Sequence, residues 1–580
     1  MTPAANQFAA ARQGESSMLP LVRYALGAPV RAKARRTRAA FLNALADCRG
    51  QQLRTLARLL RLHSGSDFHR DFGLNGVATV DDFRRRLPVA DYERARPYVE
   101  RMKRGEFHAL LAPGQKPLMF AMSSGTTAEP KSIPITRQYL ADYRRGWQTW
   151  GIELYGRGSR MHWLHILQLA SNFDKSRTPA GTPCGNITGF VQHIQNPVVQ
   201  SMYSVPRPVI RIADPDAKYY ATLRFALADP KIGMAMTANP STLIQLGEIA
   251  AAHQESLIRD IADGTQSAPG EIPLAIRSAL RPRRNPARAK ELDAAAQRDG
   301  RLTLHAAWPD MQLLAVWTAG SAAAYLPKLR GQFPGVTIRD HGLSASEARM
   351  SITLSEETRS APLDVASHFF EFIPEDEIDS PQPTVLMAHE LEVDRNYFIL
   401  LTTSCGLYRY DIRDVVRVNG FEGTTPCVEF LHKGAHISNL TGEKITESQA
   451  VAAVTAACRE LRLSLSAFTL TPVWGDPPRY HLLVEAGEVP ASLLARAART
   501  IDEQLAALNC EYDEKRKTSR LLAVTVTELP SGAWAALVRD RQSRPSGSLE
   551  QYKHPCLAPD MAFLDRLRAL IGNSALRRAA

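Results

Sequence analysis

Residues 118–136 read LMFAMSSGTTAEPKSIPIT. The apolar run 118–122 predicts a strand that delivers the chain into a turn of Ser123, Ser124, Gly125, Thr126 and Thr127. Glycine in a hydroxyl-rich turn lets backbone N–H groups approach and converge on phosphate oxygens, with hydroxyls and a lysine as added donors. That lysine is supplied by Pro130-Lys131, after which Pro134-Ile135-Thr136 continues extended. This is not a Walker loop, because Pro130 stands where G-x-x-x-x-G-K-[ST] needs its second glycine. A plain Ser/Thr turn would use the same residues for local hydrogen bonds. Its place between two strand-like runs favours the nucleotide-gripping reading.

Outward from this loop, the text before it is helical and charged from about 40 to 105, and 136–260 mixes helical and strand-like runs. Residues 262–300, with DGTQSAPGE and RPRRNPARAK, read as a polar surface excursion. Strand-like runs return at 313–318, 335–338, 368–373 and 397–403. After about residue 430 the pattern changes. Thr446-Glu447-Ser448-Gln449 has capping-box spacing and opens a helix to about Leu461. Strands at 466–474 and 479–486, a helix over 490–508 and a strand over 521–529 complete an α-β-β-α-β order, with helices expected on one side of a small sheet. The expected fold is α/β: a large N-terminal domain, residues 1–430, and a smaller α+β C-terminal domain, residues 431–580.

Length and charge agree with that division. A chain of 580 residues is too long for one ordinary core. Its 44% hydrophobic and 22% charged residues exclude a disordered or fibrous protein. No apolar run approaches the roughly 18–20 residues of a membrane span, and the first residues lack the pattern of a secretory signal, so a cytoplasmic location without membrane partners is expected. Seven scattered cysteines, never in a C-x-x-C pair, read as reduced thiols, and H-E-x-x-H is absent.

Net charge is +12, and residues 1–60 hold ten Lys/Arg against Glu15 and Asp47. A nucleic-acid arm would use such a cluster. However, Phe41, Leu45, Cys48, Leu53, Leu56 and Leu60 follow helical spacing, and no aromatic residues interleave with the RAKARRTR cluster. A solvated helix face is the favoured reading.

Three further motifs carry chemistry. In His341-Gly342-Leu343-Ser344-Ala345-Ser346-Glu347, Ser346 replaces the last glycine of a G-x-S-x-G nucleophile elbow, which argues against a serine hydrolase. Glu347 is instead a hard oxygen ligand suited to the Mg²⁺ that accompanies a nucleotide. Within Gly406-Leu407-Tyr408-Arg409-Tyr410-Asp411-Ile412-Arg413-Asp414, either Asp411 or Asp414 could hold ribose hydroxyls, or pair with Arg409 or Arg413. Near the C-terminus, Gly547-Ser548-Leu549-Glu550-Gln551-Tyr552-Lys553 is a glycine-led loop ending in a lysine.

Together these segments resemble the Gretchen Hagen (auxin-responsive promoter) family of acyl acid amido synthetases, within the adenylate-forming superfamily, from about residue 40 to 557. SSGTT is similar to the family's phosphate loop, and Thr318-Ala319-Gly320-Ser321 with Tyr325-Leu326-Pro327-Lys328-Leu329 to its strand–helix at the nucleotide pocket. GLSASE resembles the Ser-Glu loop, HFFEFIP and Leu401-Thr402-Thr403 follow the family closely, and Gln551-Tyr552-Lys553 resembles its catalytic-lysine loop. Gly442-Glu443-Lys444-Ile445-Thr446-Glu447 falls at the superfamily's hinge before a mobile C-terminal domain. Two departures are Arg413-Asp414, where the family has Gly-Asp, and the loss near Leu343 of an aromatic residue common before the Ser-Glu loop.

The resemblance implies that ATP and Mg²⁺ are used to activate a carboxylic acid as an acyl-adenylate, whose acyl group passes to an amine, with an amino acid favoured. It assigns ATP binding to Ser123, Ser124, Gly125, Thr126, Thr127, Ser346, Asp414 and Lys553, metal binding to Glu347, and catalysis to Lys553 and Glu347. The alternatives are an acyl-CoA synthetase with a thiol acceptor, and a non-catalytic nucleotide or nucleic-acid binder.

Overall fold

The computed structural model describes residues 20–123, 131–156, 159–378, 380–434, 437–438, 440–441, 443–542 and 552–579. Its centre is a four-stranded sheet of β3 (His165–Gln168), β6 (Ile232–Met236), β7 (Leu313–Ala315) and β8 (Thr337–Arg339), in that order and all parallel. Parallel neighbours need crossovers, and helices supply them. Leu167, Ala235, Leu314 and Ile338 of the sheet share one core with Leu223, Leu227, Leu243 and Leu329 of those helices. The stretch 262–300 is not only a surface excursion. Ile272, Ile276, Leu280, Ala289 and Leu292 are buried in that same core, and Pro286–Asp299 is a helix capped by the Asn285 side chain. Its low mean hydropathy conceals helices with one apolar side.

A second sheet runs β2 (Lys131–Ile135), β1 (Met119–Ser123), β5 (Pro183–Gly185), β4 (Ser176–Arg177). β1 and β2 pair antiparallel from Met119↔Ile135 to Ser123↔Lys131, so the loop's two ends lie side by side. A third, antiparallel sheet has the order β11 (Leu386–Met387), β10 (Phe369–Pro374), β12 (Asn396–Thr402), β13 (Tyr410–Glu422), β14 (Thr425–Lys433), β9 (Ala361–Pro362). These two sheets share a core with the helix Arg137–Gly151.

The N-terminal helices corrected one detail of the apolar pattern. Phe41 and Leu45 are buried, but the helix Ala28–Leu45 ends there and a new one, Cys48–Leu62, starts from Asp47, which accepts from Gly50 N at 2.9 Å. The break rotates the buried face, leaving Leu53 43% exposed. Gln52 turns inward instead, bonding Val365 O at 2.9 Å, His368 O at 2.8 Å and Phe370 N at 2.8 Å.

A short ribbon, β15 (Ile437–Ser438) with β16 (Ile445–Thr446), leads into the smaller α+β part. There the helix Glu447–Leu461 opens on the capping box: Thr446 Oγ1 accepts from Gln449 N (3.3 Å), and Gln449 Oε1 from Thr446 N (3.0 Å). The sheet is β17 (Thr469–Val473), β18 (Arg479–Glu485), β19 (Thr525–Leu529), with the first pair antiparallel and the second parallel. Helices cover both of its faces, not one. Tyr480, Leu482 and Val484 pack with Glu447–Leu461 and Leu494–Leu508, whereas Leu483 and Leu529 meet Trp534, Phe563 and Leu567 of two further helices, Ala533–Gln542 and Phe563–Ala579. Among the described residues no helix is long and apolar enough to cross a membrane.

Candidate active site

In open α/β sheets, ligands bind beyond the carboxyl ends of the parallel strands. Here that edge carries a connected set of polar residues. After β6 stands buried Asn239, whose Oδ1 caps the helix Pro240–Ala252 through Ser241 N (3.0 Å) and whose amide nitrogen donates to Tyr552 O. After β7 come Trp317 and Thr318, and Thr318 donates from N (2.5 Å) and Oγ1 (2.7 Å) to Asp340 Oδ2, just past β8. Asp340 Oδ1 accepts from Gly342 N at 2.6 Å. Burial pushes the Asp340 carboxyl up, while these bonds work against it. Gly342 has φ +84°, and a Cβ there would stand 2.4 Å from Ser351 O, so only glycine fits.

The chain then forms a tight hairpin. Ser344 bridges Arg349 and Ala345 N donates to Ala348 O (2.8 Å), which leaves Ser346 and Glu347 at the tip. Tyr139 OH fixes the tip by donating to Ser346 O at 2.8 Å. Glu347 is buried, and its Oε1 accepts from Tyr410 OH at 3.2 Å. Lys131, the first residue of β2, donates to the same Tyr410 oxygen at 2.9 Å. Burial, then the Glu347 charge, raises the Tyr410 phenol far above its ordinary range, so it remains a donor. Among the described residues the bond from Tyr410 is the one shown to the Glu347 carboxylate, and no group of three His, Cys, Asp or Glu gathers around it there.

The two aspartates separate clearly. Asp411 accepts from Arg413 N (2.8 Å) and pairs with Arg413 Nε (2.9 Å). Burial raises its carboxyl, with Arg413 opposing. Arg413 has φ +61°, the left-handed conformation that glycine favours. An arginine thus takes a conformation that costs it more than glycine, and its guanidinium holds Asp411. A register shift between β12 and β13 accompanies it and turns Asp414 toward Lys433, whose Nζ pairs with Asp414 Oδ1. Burial alone would lower Lys433, but Asp414 outweighs it and holds the ammonium above its usual range.

Lys553 arrives from the C-terminal part. Leu557 bridges Leu470 of β17, Cys556 N donates to Glu447 Oε1 at 2.9 Å, and Asn239 holds Tyr552 O from the other side. The Lys553 ammonium lies 4.7 Å from the Trp317 ring centre and 5.3 Å from that of Phe430. Burial, then the Lys433 charge, pulls it below the usual lysine range, with Asp414, Glu447 and Glu347 working against them. The residue as a whole still keeps surface open to water. Glu347, Asp414, Lys433 and Lys553 therefore share one electrostatic neighbourhood.

Of the residues expected to bind nucleotide, Ser123 ends β1, Ser346 lies at the hairpin tip, and Asp414 and Lys553 come together at Lys433. Ser124, Gly125, Thr126 and Thr127 lie outside the described residues, as do Gly442 and residues 547–551. Sequence reasoning did not single out Lys433, Trp317, Phe430 or Asn239. Only the Asn239-Pro240 pair, a turn signal, left a local trace. The roles of the other three depend on residues far away in sequence.

A parallel α/β body thus meets, at its strand ends, a lysine from a smaller α+β part. Residues 37–338 match the GH3 family N-terminal domain, 362–433 the GH3 family central domain and 448–562 the GH3 family C-terminal domain. The chain belongs to the GH3 family. It is 26% identical to a probable indole-3-acetic acid-amido synthetase GH3.12 of Oryza sativa subsp. japonica, over 91% of this chain and 94% of that one. It is 24% identical to the jasmonoyl–L-amino acid synthetase JAR6 of Nicotiana attenuata, over 88% and 92%. The structure shares the fold of AtGH3.15 acyl acid amido synthetase in complex with 2,4-DB, with TM-score 0.80 and 22% identity over 92% of this chain and 95% of that one.

Proposed function

We propose that this chain is an ATP-dependent acyl acid amido synthetase acting in the cytoplasm. The observation that carries the reading is the convergence of Glu347, Asp414, Lys433 and Lys553 at the carboxyl edge of a parallel sheet. In the first step a carboxylate oxygen attacks the α-phosphorus of ATP and pyrophosphate leaves. A free carboxylate resists acyl transfer because oxide is a poor leaving group, and AMP is a far better one. In the second step an amine nitrogen, with an amino acid as the favoured class, attacks the acyl carbon and AMP departs.

Each residue has a role in this scheme. The loop Ser123–Thr127 grips phosphate, with Lys131 at its exit. Ser346, held at the hairpin tip by Tyr139, lines the nucleotide site. Asp414 takes the ribose hydroxyls, and Lys433 orients it. Lys553 stabilises the charge that builds on the α-phosphate and the leaving group, an effect strongest in the transition state. Glu347 fits Mg²⁺: it is a buried carboxylate bonded by the Tyr410 hydroxyl, and Mg²⁺ usually takes one or two protein oxygens with water and phosphate completing the shell. When bound there, Mg²⁺ would neutralise phosphate charge. We also assign residues 1–430 to the adenylation domain and 431–580 to a C-terminal domain that moves between the two steps.

ATP–pyrophosphate exchange across aryl, indolyl and aliphatic acids tests the first half-reaction. An amino-acid panel with the best acid then tests the second. Acid-dependent exchange followed by amide formation is expected. Thioester formation with coenzyme A in place of amide would assign the alternative acceptor, and no exchange with any acid would reject adenylation.

A further inference from the structure

Arg349 is a charge that the adenylation scheme leaves unused. It is 2% exposed; its Nη2 donates to His341 O, while Nε and Nη1 have no hydrogen-bond partner among the described residues. No carboxylate forms an ion pair with it among the described residues. Asp340 spends its oxygens on Thr318 and Gly342 and Asp364 accepts from Ser367 Oγ at 2.5 Å, so both carboxylates act on Arg349 only through space. The guanidinium lies over the Trp147 ring instead, 4.1 Å from its centre.

The neighbouring helix is shaped for this side chain. Gly146 sits in mid-helix, where glycine is unfavourable relative to alanine. A Cβ there would stand 2.5 Å from Arg349 Cδ. Tyr139, Tyr143, Gly146, Trp147 and Trp150 form one stripe along Arg137–Gly151, in line with the i, i+4 periodicity of a helix face. One end of the stripe holds Ser346, and at the other Trp150 Nε1 donates to Asp340 O at 2.8 Å. Arg349 thus stands on the hairpin whose tip carries Ser346 and Glu347, and its Cα lies at most about 8 Å from that of Glu347, two residues away. Buried donors without partners are rare in native proteins, and a buried guanidinium is the side chain best matched to a carboxylate.

We propose that Arg349 receives a distal carboxylate of the acid substrate, so that this enzyme activates dicarboxylic acids. The inference rests on the adenylation reading for the position of the reacting end. The reacting carboxylate is a poor candidate for this partner. It loses its charge as the P–O bond forms, so a guanidinium fixed on it would stabilise the ground state more than the transition state. A second carboxylate keeps its charge throughout both half-reactions.

The test compares glutarate with valerate, and terephthalate with benzoate, in ATP–pyrophosphate exchange. Wild type should favour each diacid at least tenfold in kcat/KM. Arg349→Met should lower that diacid-to-monoacid ratio at least tenfold, through KM for the acid, and Arg349→Lys should restore part of it. Melting curves of both variants verify that the fold survives. An unchanged ratio in a folded Arg349→Met protein, whether both acids lose equally or neither does, overturns the proposal, as does a wild type without diacid preference. Calorimetric binding of glutarate without ATP separates the two readings. If no acid supports exchange but glutarate binds wild type and not Arg349→Met, adenylation fails and the carboxylate site stands. Equal binding by both proteins removes the site.

Discussion

Asp411 and Asp414 are separated by two residues and differ in what they touch. The Asp411 carboxyl is filled by Arg413, from both its backbone N–H and its guanidinium. Asp414 faces Lys433, in the neighbourhood of Lys553. Asp414→Ala should therefore raise the KM for ATP by roughly tenfold or more, the size of one lost charge-assisted hydrogen bond. Asp411→Ala should change it little, and its cost should appear in thermal stability. The reverse order in KM would make Asp411 the ribose partner. Glu347 gives a second test at this scale. Glu347→Gln keeps the shape and the bond from Tyr410, but removes the charge a hard cation needs. Exchange should fall, and the Mg²⁺ concentration giving half-maximal rate should rise. A wild-type Mg²⁺ titration would remove the metal from this residue.

Phe430 on β14 and the helical turn Gly320–Tyr325 meet at one atom's clearance. Gly320 has φ +58°, and a Cβ there would lie 2.7 Å from the Phe430 ring. Phe430 also flanks Lys553, so Gly320→Ala must either strain the turn or displace that ring. Overpacking of this kind costs about 1–3 kcal/mol, and exchange should fall further than stability does. A variant with lower melting temperature but unaltered exchange would show that the ring does not position the lysine. The elements legible in sequence were those set by local chemistry. The capping box Thr446–Gln449 and the strand Asn396–Thr402 each carry their own signal in adjacent residues. Leu53 misled because periodicity assumes an unbroken helix, and Asp47 breaks it. The covering of the second face of the C-terminal sheet was hidden as well. Leu482–Val484 is continuously apolar within a strand-like run, which signals a strand but does not show what packs on either side. Of the candidate site, Glu347, Asp414 and Lys553 stand in motifs that the sequence displays. Lys433 and Trp317 do not, because each acquires its role from a partner more distant in sequence.

The whole molecule buries several neutral histidines, and a lysine of its smaller part reaches the larger one; both facts make predictions. Burial is the first cause that lowers His341 and His368 to about 3, and His63, His69 and His554 to about 4. An unfolded histidine titrates near about 6.5, so below that value the unfolded state binds more protons. Their contribution to stability is fully present above about pH 6.5 and is lost as pH falls toward the folded values. Melting temperature should thus decline between about pH 6.5 and 5, above the ordinary carboxylate range, and a flat profile there would contradict burial of these rings. Lys553 links the parts differently. It is carried by a segment that pairs with β17 and bonds Glu447, yet its ammonium rests on Trp317 of the larger body and on Phe430. We expect a turn of the smaller part about residues 443–447 to withdraw the lysine, breaking the Asn239–Tyr552 bond and parting Ala323 and Ala324 from the smaller part's core. Charge builds on the α-phosphate and the leaving pyrophosphate during adenylation, and on the departing AMP during amide formation; we propose that the cation serves the first, because amide formation needs an open path for the amine. Lys553→Ala should abolish ATP–pyrophosphate exchange, yet still convert a synthetic acyl-adenylate and an amine to amide at near the wild-type rate. Equal loss in both assays would show that the lysine serves both steps or only the fold, and exchange at the wild-type rate would remove it from the site.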